Sequence, residues 1–495
     1  MHPLIQEIQT AQTPESLVEQ LGGEPGRVLL RTLQFDSSAA RYSFVAARPF
    51  LTFRSHGSRC ESAAAGGIAE RQFGNPWRVL EALLSRFELL EELDWPFPLG
   101  GAFGYWGYEL KNFTEPRLPR RAVNDLELPD CHVGFYDSLV AFDHRSGKVM
   151  VISTGLEPDG SRNEAKAGER LEFWRERLLA VDSRPQPQGR AEFWRERLGA
   201  EGGSGGPTME PESNISRRDF ISAVERAQQY IRAGDIYQVN LSHRLTVGWN
   251  GGGWELFQRL AAVSPAPFAA FLECEGGGTG RFEVASSSPE QFLRMSGGQI
   301  VTRPIKGTRP RGGTATEDAQ LAYELQTSAK ELAELVMITD LLRNDLGKVC
   351  EYGSVQVPEL ARLEKFAQVQ HLVSTVEGRL REGLTHLGAF ASCFPGGSVT
   401  GAPKIRAMEI IDELEPLARG PYCGALGYLG FNRESQLSIV IRTAICEGGR
   451  AHFNVGAGIV ADSRAEAEYE ETLAKARGYV GALQAAQRRF SSASM

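Results

Sequence analysis

The sequence predicts an α/β (α+β) fold, with strands dominating the first part of the chain and strands alternating with helices in the rest. From Arg27 to about Val151, short apolar runs alternate with glycine, proline and aspartate, which is typical of strands joined by turns. From Arg217 onward, segments with the 3.6-residue period of a helix alternate with strand-like segments. No fixed-period repeat runs through the chain, so neither a solenoid nor a helical bundle is expected.

The composition is typical of a globular protein with a sizeable core. Of 495 residues, 42% are hydrophobic and 23% are charged, which is close to the average. The formal net charge of -8 and the lack of a dense lysine and arginine run argue against nucleic acid or a membrane surface as a partner. The 7 cysteines form no C-x-x-C pair, so we expect reduced thiols and a cytoplasmic location.

Shifts in composition divide the chain into four predicted parts: residues 1–156, 157–214, 215–485 and 486–495. The second part is rich in arginine, glutamate, glycine and proline, which is typical of a variable connector between folded regions. Within it, the seven-residue sequence at 172–178 recurs unchanged at 192–198. A single local duplication is too short to build a repeat architecture.

The clearest elements of the second half are, in order, a helix from Arg218 to Ala233, a strand from Ile236 to Leu245, a strand from Gln299 to Arg303, a helix from Ser328 to Leu342 and a last helix from near Ser463. A serine or threonine with glutamate three residues later is typical of a helix N-terminus, because each side chain can bond the other residue's backbone amide. Ser328 with Glu331 and Ser463 with Glu466 fit this pattern.

Two pairs of glutamates are spaced three residues apart on predicted helices. Glu331 with Glu334, and Glu468 with Glu471, would each present two carboxylates on one side of a helix. If the pairs faced each other they could bind Mg²⁺, which prefers oxygen ligands. Simpler interpretations exist, because Glu331 fits a capping box and Glu471 with Lys475 fits a surface i,i+4 pair.

Two glycine clusters and one arginine are further candidates for anion binding. The run at 396–404 precedes a predicted helix, and the cluster at 456–458 follows an apolar strand, so either could offer backbone amides to an anion. Each is explained equally well as a tight turn. Arg442 is predicted on a buried strand, where its guanidinium needs a partner, either a substrate carboxylate or a structural acid.

Taken together, six segments resemble, in order, the motifs of the chorismate-utilising enzyme family: residues 235–242, 287–290, 303–309, 340–345, 396–404 and 468–472. Weaker similarity at 35–38, 41–43 and 100–105 resembles the tryptophan-pocket half of the same family. The resemblance implies two stacked β-sheets flanked by helices, with the chorismate site between them. It makes 1–156 an anthranilate-synthase-like region and 215–485 the chorismate-binding catalytic domain.

The resemblance also implies a role for individual residues. The implied Mg²⁺ ligands are Glu334 and Glu471, with Glu331 and Glu468 beside them. The implied catalytic residues are Lys306, Glu290 and His371. The implied substrate-binding residues are Thr400, Tyr428, Arg442, Gly456, Ala457, Gly458 and Lys475. The implied tryptophan pocket contains Asp36, Ser37, Tyr42 and Ser43.

Within the family, Lys306 favours aminodeoxychorismate synthase activity. Anthranilate synthases resemble Pro-Ile-Ala-Gly-Thr at this motif, whereas aminodeoxychorismate synthases carry a nucleophilic lysine in place of the alanine. Isochorismate and salicylate synthases carry a water-activating lysine where this chain has Gln238. The implied product is 4-amino-4-deoxychorismate, a precursor of 4-aminobenzoate and folate, formed through a covalent Lys306 intermediate with Glu290 as general acid and base.

The expected partners follow from the same resemblance. No glutaminase nucleophile, a cysteine between glycines, occurs in the chain, so ammonia is expected from a separate glutamine amidotransferase subunit or from solution. Two alternative functions stay open. One is anthranilate synthase component I. The other is a non-catalytic tryptophan-binding regulatory homologue, suggested by residues 36–43 and opposed by the retained glutamates and Lys306.

Overall fold

The structure is a computed structural model that describes residues 2–32, 41–91, 94–180, 211–276, 278, 280–366 and 369–490. The predicted fold class is confirmed, because this part of the chain forms two 12-stranded antiparallel sheets flanked by helices. None of the helices in these ranges is both long and apolar enough to cross a membrane. All seven cysteines are buried and unpaired.

The strands before residue 156 are β1 (Leu4–Glu7), β2 (Val28–Arg31), β3 (Tyr42–Ala46), β4 (Leu51–His56), β5 (Arg59–Ala64), β6 (Glu70–Phe73), β7 (Gly101–Trp106), β8 (Cys131–Tyr136), β9 (Ser138–Asp143) and β10 (Val149–Ser153). The later strands are β11 (Glu212–Ser213), β12 (Gln238–Gly248), β13 (Phe268–Glu275), β14 (Arg281–Ser288), β15 (Gln291–Ser296), β16 (Gln299–Arg303), β17 (Ile305–Pro310), β18 (Gln356–Lys365), β19 (Val369–Arg379), β20 (Gly401–Ala402), β21 (Ala425–Gly430), β22 (Glu434–Ile439), β23 (Thr443–Glu447) and β24 (Arg450–Ile459).

The α-helices of the described residues are α1 (Pro14–Gln20), α2 (Pro76–Leu84), α3 (Lys111–Thr114), α4 (Glu164–Leu179), α5 (Arg217–Arg232), α6 (Gly253–Val263), α7 (Ala315–Thr327), α8 (Ala329–Gly347), α9 (His386–Cys393), α10 (Lys404–Leu414) and α11 (Ala465–Phe490). Short 3₁₀ turns cover Tyr108–Leu110 and Gly397–Val399. The elements predicted in the second half are all present, with ends shifted by a few residues.

Each sheet contains strands from both ends of the sequence. The first has the order β1-β10-β9-β3-β2-β13-β14-β23-β24-β12-β11, with β20 also paired to β12. The second has the order β17-β19-β16-β15-β22-β21-β7-β8-β4-β5-β6, with β18 also paired to β19. The early and late strands meet at β2 with β13 and at β7 with β21. The predicted regions 1–156 and 215–485 therefore share both sheets, although their boundaries stay predictions.

The two faces of the first sheet pack into different hydrophobic cores. Along β13, Ala270 and Leu272 lie in a core shared with the second sheet, whereas Ala269 and Phe271 lie in a core that includes Phe257 of α6. This follows from the two-residue period of a strand, which sends neighbouring side chains to opposite faces. Because both of its faces are covered, β13 is apolar over most of its length.

The N-cap of α8 is confirmed, and that of the last helix differs from the prediction. Ser328 accepts a hydrogen bond from the Glu331 backbone amide at 3.4 Å. Near α11, the Ser463 hydroxyl instead donates to the carboxylate of Glu468 at 2.6 Å, so the predicted pairing of Ser463 with Glu466 is not formed. The serine thus orients one of the predicted metal-site glutamates.

The first copy of the duplicated sequence lies in α4, and the second copy, 192–198, lies outside the described residues. Trp174 of the first copy is fully buried, and its indole nitrogen donates to the Ser138 hydroxyl at 3.1 Å. Trp174 and Leu178 pack against strands of the first sheet, in the same hydrophobic core as Phe257 of α6. This part of the predicted connector is therefore a packed helix.

Candidate active site

A cavity of about 530 Å³ lies where strands of both sheets meet α8 and α11. The first sheet contributes residues from β12, β14 and β24, and the second contributes residues from β17 and β19. The predicted site residues that line this cavity are Glu290, Lys306, Glu331, Glu334, His371, Arg442, Gly456, Gly458, Glu468, Glu471 and Lys475. Residues far apart in sequence therefore converge on one space.

The four glutamates come from two helices. Glu331 and Glu334 lie on α8, and Glu468 and Glu471 lie on α11. Burial raises the pKa of Glu334; the charge of Lys306 opposes this shift, while nearby glutamates add to it. Burial also raises the pKa of Glu468, and the charge of Glu471 reinforces that shift. These carboxylates repel one another, and a bound cation would relieve the repulsion.

The glutamates fit a metal ion that retains other ligands. Among the described residues, no three acidic, histidine or cysteine side chains are gathered closely enough to form a complete metal site. Mg²⁺ usually takes only one or two carboxylates and fills its remaining positions with water and substrate oxygens. The donors in this cavity are oxygen atoms of the kind Mg²⁺ prefers, so the residues present suit that ion.

Lys306 points into the cavity. Its amine lies 3.9 Å from a carboxylate oxygen of Glu334, and its side chain is only 18% exposed. Lys330 lies at the same distance from the other oxygen of Glu334 but is 59% exposed. A bulge in the pairing of β17 with β19 follows Lys306, and Gly307 has φ +70° there. A bulge of this kind redirects a side chain, and glycine accepts the left-handed conformation without strain.

Glu290 follows β14 and is almost fully buried. Burial raises the pKa of its carboxyl group to about 7, while a hydrogen bond with Ser398 and the charge of Lys306 act in the opposite direction. A carboxyl group with this pKa exists in both forms near neutral pH. It can therefore donate a proton in one step and take one up in another.

His371 lies on β19 opposite Thr308 of β17, in the wall of the cavity. Its Nδ1 lies 2.9 Å from the Thr308 hydroxyl. Burial lowers the pKa of His371 to about 4; a backbone hydrogen bond with Gly307 opposes this shift, and the charge of Arg442 adds to it. The imidazole is therefore neutral at physiological pH and can exchange hydrogen bonds without carrying charge.

The prediction that Arg442 lies on a buried strand was wrong. Arg442 lies between β22 and β23 with φ +52°, because the strand pairing stops after Ile439. Its carbonyl accepts a hydrogen bond from the Ser287 amide at 2.9 Å, which fixes the backbone. The guanidinium lines the cavity and forms no ion pair with another described residue. Such a group can bind a carboxylate through two hydrogen bonds.

The glycines at 456–458 form part of a strand and not a turn. They lie within β24, where Gly456 and Gly458 line the cavity and Ala457 faces the opposite side, fully buried. The two-residue period of the strand separates them in this way. Lys475 donates to the Gly456 carbonyl at 2.8 Å and pairs with Glu471 at 2.8 Å. The Lys475 ammonium thus connects α11, on which it lies, to the backbone of β24.

Thr400 and Tyr428 are not brought to this cavity. The Thr400 hydroxyl donates to the Gly396 carbonyl at 3.0 Å and is fully buried. Lys404, the last residue of the glycine-rich run 396–404, donates to backbone carbonyls and pairs with an aspartate, so its charge is engaged within the fold. Tyr428 stacks on Phe103, with ring centroids 5.4 Å apart. These residues therefore support the fold around the site.

Tyr428 lines a second, smaller cavity together with Tyr42. Ser43 lies beside it, and its hydroxyl accepts a hydrogen bond from the Thr32 amide at 3.1 Å. Asp36 and Ser37, the other predicted members of a tryptophan pocket, lie outside the described residues. The tryptophan pocket therefore stays a prediction.

Several cavity residues were not predicted as site residues: Asn240, Ser398, Tyr422 and Asn454. Asn454 could have been found from the alternation that places 454, 456 and 458 on one face of a strand. Ser398 lies in the glycine-rich run that was singled out for its hydroxyls, and it bonds Glu290. No local pattern indicates Tyr422, because long-range packing brings it to the cavity.

Comparison with known proteins gives a consistent result. Residues 32–480 match the family described as chorismate binding enzyme. Anthranilate synthase component 1 of Thermus thermophilus is 43% identical over 80% of this chain and 79% of the relative. Aminodeoxychorismate synthase component 1 of Escherichia coli is 38% identical over 93% of this chain and 94% of the relative. The crystal structure of anthranilate synthase component I from Streptococcus pneumoniae superposes with a TM-score of 0.71 at 30% identity, covering 90% of this chain and 93% of that one.

Proposed function

The chain belongs to the chorismate-binding enzyme family and acts on chorismate, and we propose that it is the synthase subunit of an aminodeoxychorismate synthase. It would convert chorismate and ammonia to 4-amino-4-deoxychorismate, on the way to 4-aminobenzoate and folate. The relatives include enzymes of two specificities at comparable identity, so identity does not choose between them. The choice between the two specificities therefore rests on the side chains that line the cavity.

One observation carries the proposal: the Lys306 amine lies inside the cavity, 3.9 Å from the Glu334 carboxylate, with its side chain largely shielded from solvent. A lysine in this position can act as a nucleophile once it has lost its proton. An alanine at the same position, as in the anthranilate synthase motif, could not form a bond to the substrate. A non-catalytic role is disfavoured because Lys306 and Glu290 line the same cavity.

The proposed reaction has two balanced steps. The Lys306 nitrogen bonds to ring carbon 2 as the bond from carbon 4 to its hydroxyl breaks, and Glu290 protonates the departing oxygen to give water. Ammonia then bonds to carbon 4 as the bond from carbon 2 to Lys306 breaks, returning the electron pair to the amine. Glu290 takes up the proton that ammonia loses, which its pKa of about 7 permits.

We further propose that Glu334 and Glu471 hold Mg²⁺, with Glu331 and Glu468 beside them. When bound, the ion would neutralise the ring carboxylate of chorismate. Arg442 would bind a substrate carboxylate, and the Gly456 and Gly458 backbone would lie against the ring, since no side chain blocks its approach. Ammonia would come from a separate glutamine amidotransferase. The cytoplasmic location stays a prediction from the cysteine pattern.

Identification of the product tests the proposal directly. The purified chain is incubated with chorismate, MgCl₂ and ammonium, and the product is identified by mass spectrometry. We expect 4-amino-4-deoxychorismate, and we expect Lys306→Ala to abolish or greatly slow its formation. Incubation with chorismate and MgCl₂, without ammonium, should leave an adduct of chorismate minus water on the peptide that contains Lys306.

A matched control is Lys148→Ala, because Lys148 is a surface lysine paired with Glu7 at 2.8 Å, outside the cavity wall. This variant should retain full turnover. Unchanged turnover in Lys306→Ala would rule out the covalent mechanism. Loss of activity in both variants would point to a general effect on folding.

Anthranilate synthase component I is the second candidate, because relatives of that specificity match the chain at an identity comparable to that of the aminodeoxychorismate synthases. It predicts anthranilate and pyruvate from the same mixture. Anthranilate is fluorescent, so its appearance is detected before the mass is measured. A chain that releases anthranilate, with no adduct on Lys306, would replace the first proposal by the second.

A further inference from the structure

Lys330 is a cation at a position where a helix favours an acid. It is the second residue of α8, and its amine lies 3.9 Å from the carboxylate of Glu334, four residues further along. The amides at a helix N-terminus carry partial positive charge, so they repel a lysine there. A lysine four residues before a glutamate is also the less favourable order for an ion pair on a helix. The stability of α8 therefore does not account for Lys330.

The cavity that Lys330 lines accounts for its charge better than the helix does. Lys330 shares the cavity wall with the four glutamates of α8 and α11. Burial acts to raise the pKa of Glu334, Glu468 and Glu471, and the charge of Lys330 acts against burial at all three. At Glu471 the nearby lysines outweigh burial, and its pKa falls. The charge of Lys330 therefore acts on carboxylates of both helices.

The three lysines that line the cavity among the described residues differ in how firmly they are held. Lys475 donates to a backbone carbonyl of β24 and pairs with Glu471, both at 2.8 Å. Lys306 is enclosed, with a side chain only 18% exposed. The Lys330 side chain is 59% exposed, and its 3.9 Å separation from Glu334 is longer than a hydrogen bond. Lys330 can therefore move its ammonium into solvent while its alkyl chain stays on the helix surface.

We propose that Lys330 is a tethered counter-ion, which neutralises part of the glutamate cluster (Glu331, Glu334, Glu468 and Glu471) and moves into solvent when a divalent cation binds there. The inference rests on the proposed function, because it takes these glutamates to hold Mg²⁺. Lys330 and the ion are attracted to the same Glu334 carboxylate, and they repel each other. Lys330 thereby stabilises the folded protein without the ion and weakens binding of the ion.

A tethered counter-ion makes binding of the ion depend on the substrate. Without chorismate, the ion has to displace Lys330 from the glutamate cluster, and its affinity is reduced by the free energy of that displacement. Chorismate brings carboxylates of its own, which add to the attraction for the ion and offset the loss of the lysine contact. Lys330 thus favours binding of the ion together with chorismate over binding of the ion alone.

Lys330→Met tests this role, because it removes the charge and keeps most of the apolar length of the side chain. The full chain is studied at low ionic strength without chorismate. The melting temperature of the variant without metal should be lower than that of the wild type, because the glutamates lose a counter-ion. MgCl₂ should raise it more than it raises that of the wild type. Titration calorimetry with MgCl₂ alone should give a Kd about threefold to tenfold lower, a rough estimate for one partly exposed charge beside a divalent ion.

Two control variants separate the charge of Lys330 from its position on the helix. Lys330→Arg keeps the charge and should match the wild type in both measurements. Lys348→Met is the matched control, because Lys348 follows α8, is 48% exposed and pairs with Asp345 at 3.1 Å, outside the cavity wall. The rise of its melting temperature with MgCl₂ and its Kd for Mg²⁺ should equal those of the wild type.

The opposite signs of the two effects distinguish a counter-ion from a structural lysine. A Lys330→Met variant whose melting temperature is lower by the same amount with and without MgCl₂, and whose Kd for Mg²⁺ is that of the wild type, would overturn the proposal. In a Glu334→Gln background, Lys330→Met should change the Kd less, because the shared carboxylate is gone. An undiminished change in that background would also overturn it.

Product identification and metal binding in the wild type separate failure of this inference from failure of the proposed function. If the wild type binds Mg²⁺ and Lys330→Met binds it equally well, only the counter-ion role is wrong. If the product is anthranilate and the variant binds Mg²⁺ more tightly, the counter-ion role stands and the proposed specificity is wrong. If neither protein binds Mg²⁺, with or without chorismate, the proposed metal site and the counter-ion role both fail.

Discussion

The surroundings of Glu290 leave its carboxyl group about half protonated near neutral pH. Burial disfavours the charged form, and the Ser398 hydroxyl and Lys306 charge offset only part of that effect, which leaves its pKa at about 7. The protonated form therefore dominates below about pH 7 and is lost as pH rises through that value. A general acid at this position should give activity that declines on the alkaline side.

Glu290→Gln should lower the rate of Lys306 adduct formation about 10²–10⁴-fold, the usual contribution of a general acid or base. The variant cannot donate a proton, so the decline in rate above about pH 7 seen in the wild type should also disappear. The measurement is the pH dependence of adduct formation with chorismate and no ammonia, followed by intact-protein mass spectrometry.

Glu434→Gln is the matched control for this experiment. Burial also raises the pKa of Glu434, but the residue lies on β22 outside the cavity wall and bonds Ser296. Its adduct formation should follow the wild-type pH profile. A Glu290→Gln variant that keeps the alkaline decline would show that another group supplies the proton.

The N-cap of α8 stabilises the start of the helix that carries Glu331 and Glu334. Ser328 satisfies the backbone amide of Glu331, which would otherwise lack a partner. Ser328→Ala should lower the free energy of unfolding by about 1 kcal/mol. Ser328→Gly should lower it by only about a few tenths of a kcal/mol. Urea unfolding monitored by circular dichroism measures both. Equal losses in the two variants would mean that the cap contributes little.

The carboxylates of α8 and α11 should also respond to metal. Adding MgCl₂ together with chorismate should raise the melting temperature, because a ligand that binds only the folded state stabilises it. Glu334→Gln should reduce this shift, since it removes a proposed ligand and part of the repulsion that a cation relieves. The measurement is thermal unfolding with and without MgCl₂.

Glu324→Gln, on the exposed face of α7, is the control for the metal experiment. Its shift with MgCl₂ should equal that of the wild type. If MgCl₂ raises the melting temperature of Glu334→Gln as much as that of the wild type, Glu334 does not bind the ion.

The sequence predicted those parts of the site that local periodicity controls. The two glutamate pairs were found because residues three apart share one side of a helix, and Lys306 was found from its motif at the end of a strand. Arg442 was assigned to a strand because its neighbours are apolar, but the strand ends before it. Thr400 and Tyr428 were placed in the cavity by resemblance, whereas tertiary packing directs them elsewhere. Periodicity predicts which residues share one face of a helix or strand, but it does not predict which other elements pack against that face.

The first and last parts of the sequence are interleaved throughout the fold. The late strand β13 pairs with the early strand β2, and the late strand β21 pairs with the early strand β7. The core between the sheets contains Phe103 from the early part beside Leu426 and Tyr428 from the late part. Among the described residues, the cavity is lined by the late part alone, but its strands belong to sheets that the early part completes.

This interleaving predicts that the catalytic part does not fold stably by itself. A fragment of residues 211–495 would expose the edges of β13 and β21 together with apolar surface of the shared core, and exposed edges and apolar patches promote aggregation. Expressed alone, this fragment and a fragment of residues 1–180 should both be insoluble. Expressed together, they should copurify and consume chorismate. A soluble, active fragment 211–495 would show instead that the late strands form a sufficient core without the early part, and the predicted boundary near residue 214 would then separate two independently folding domains.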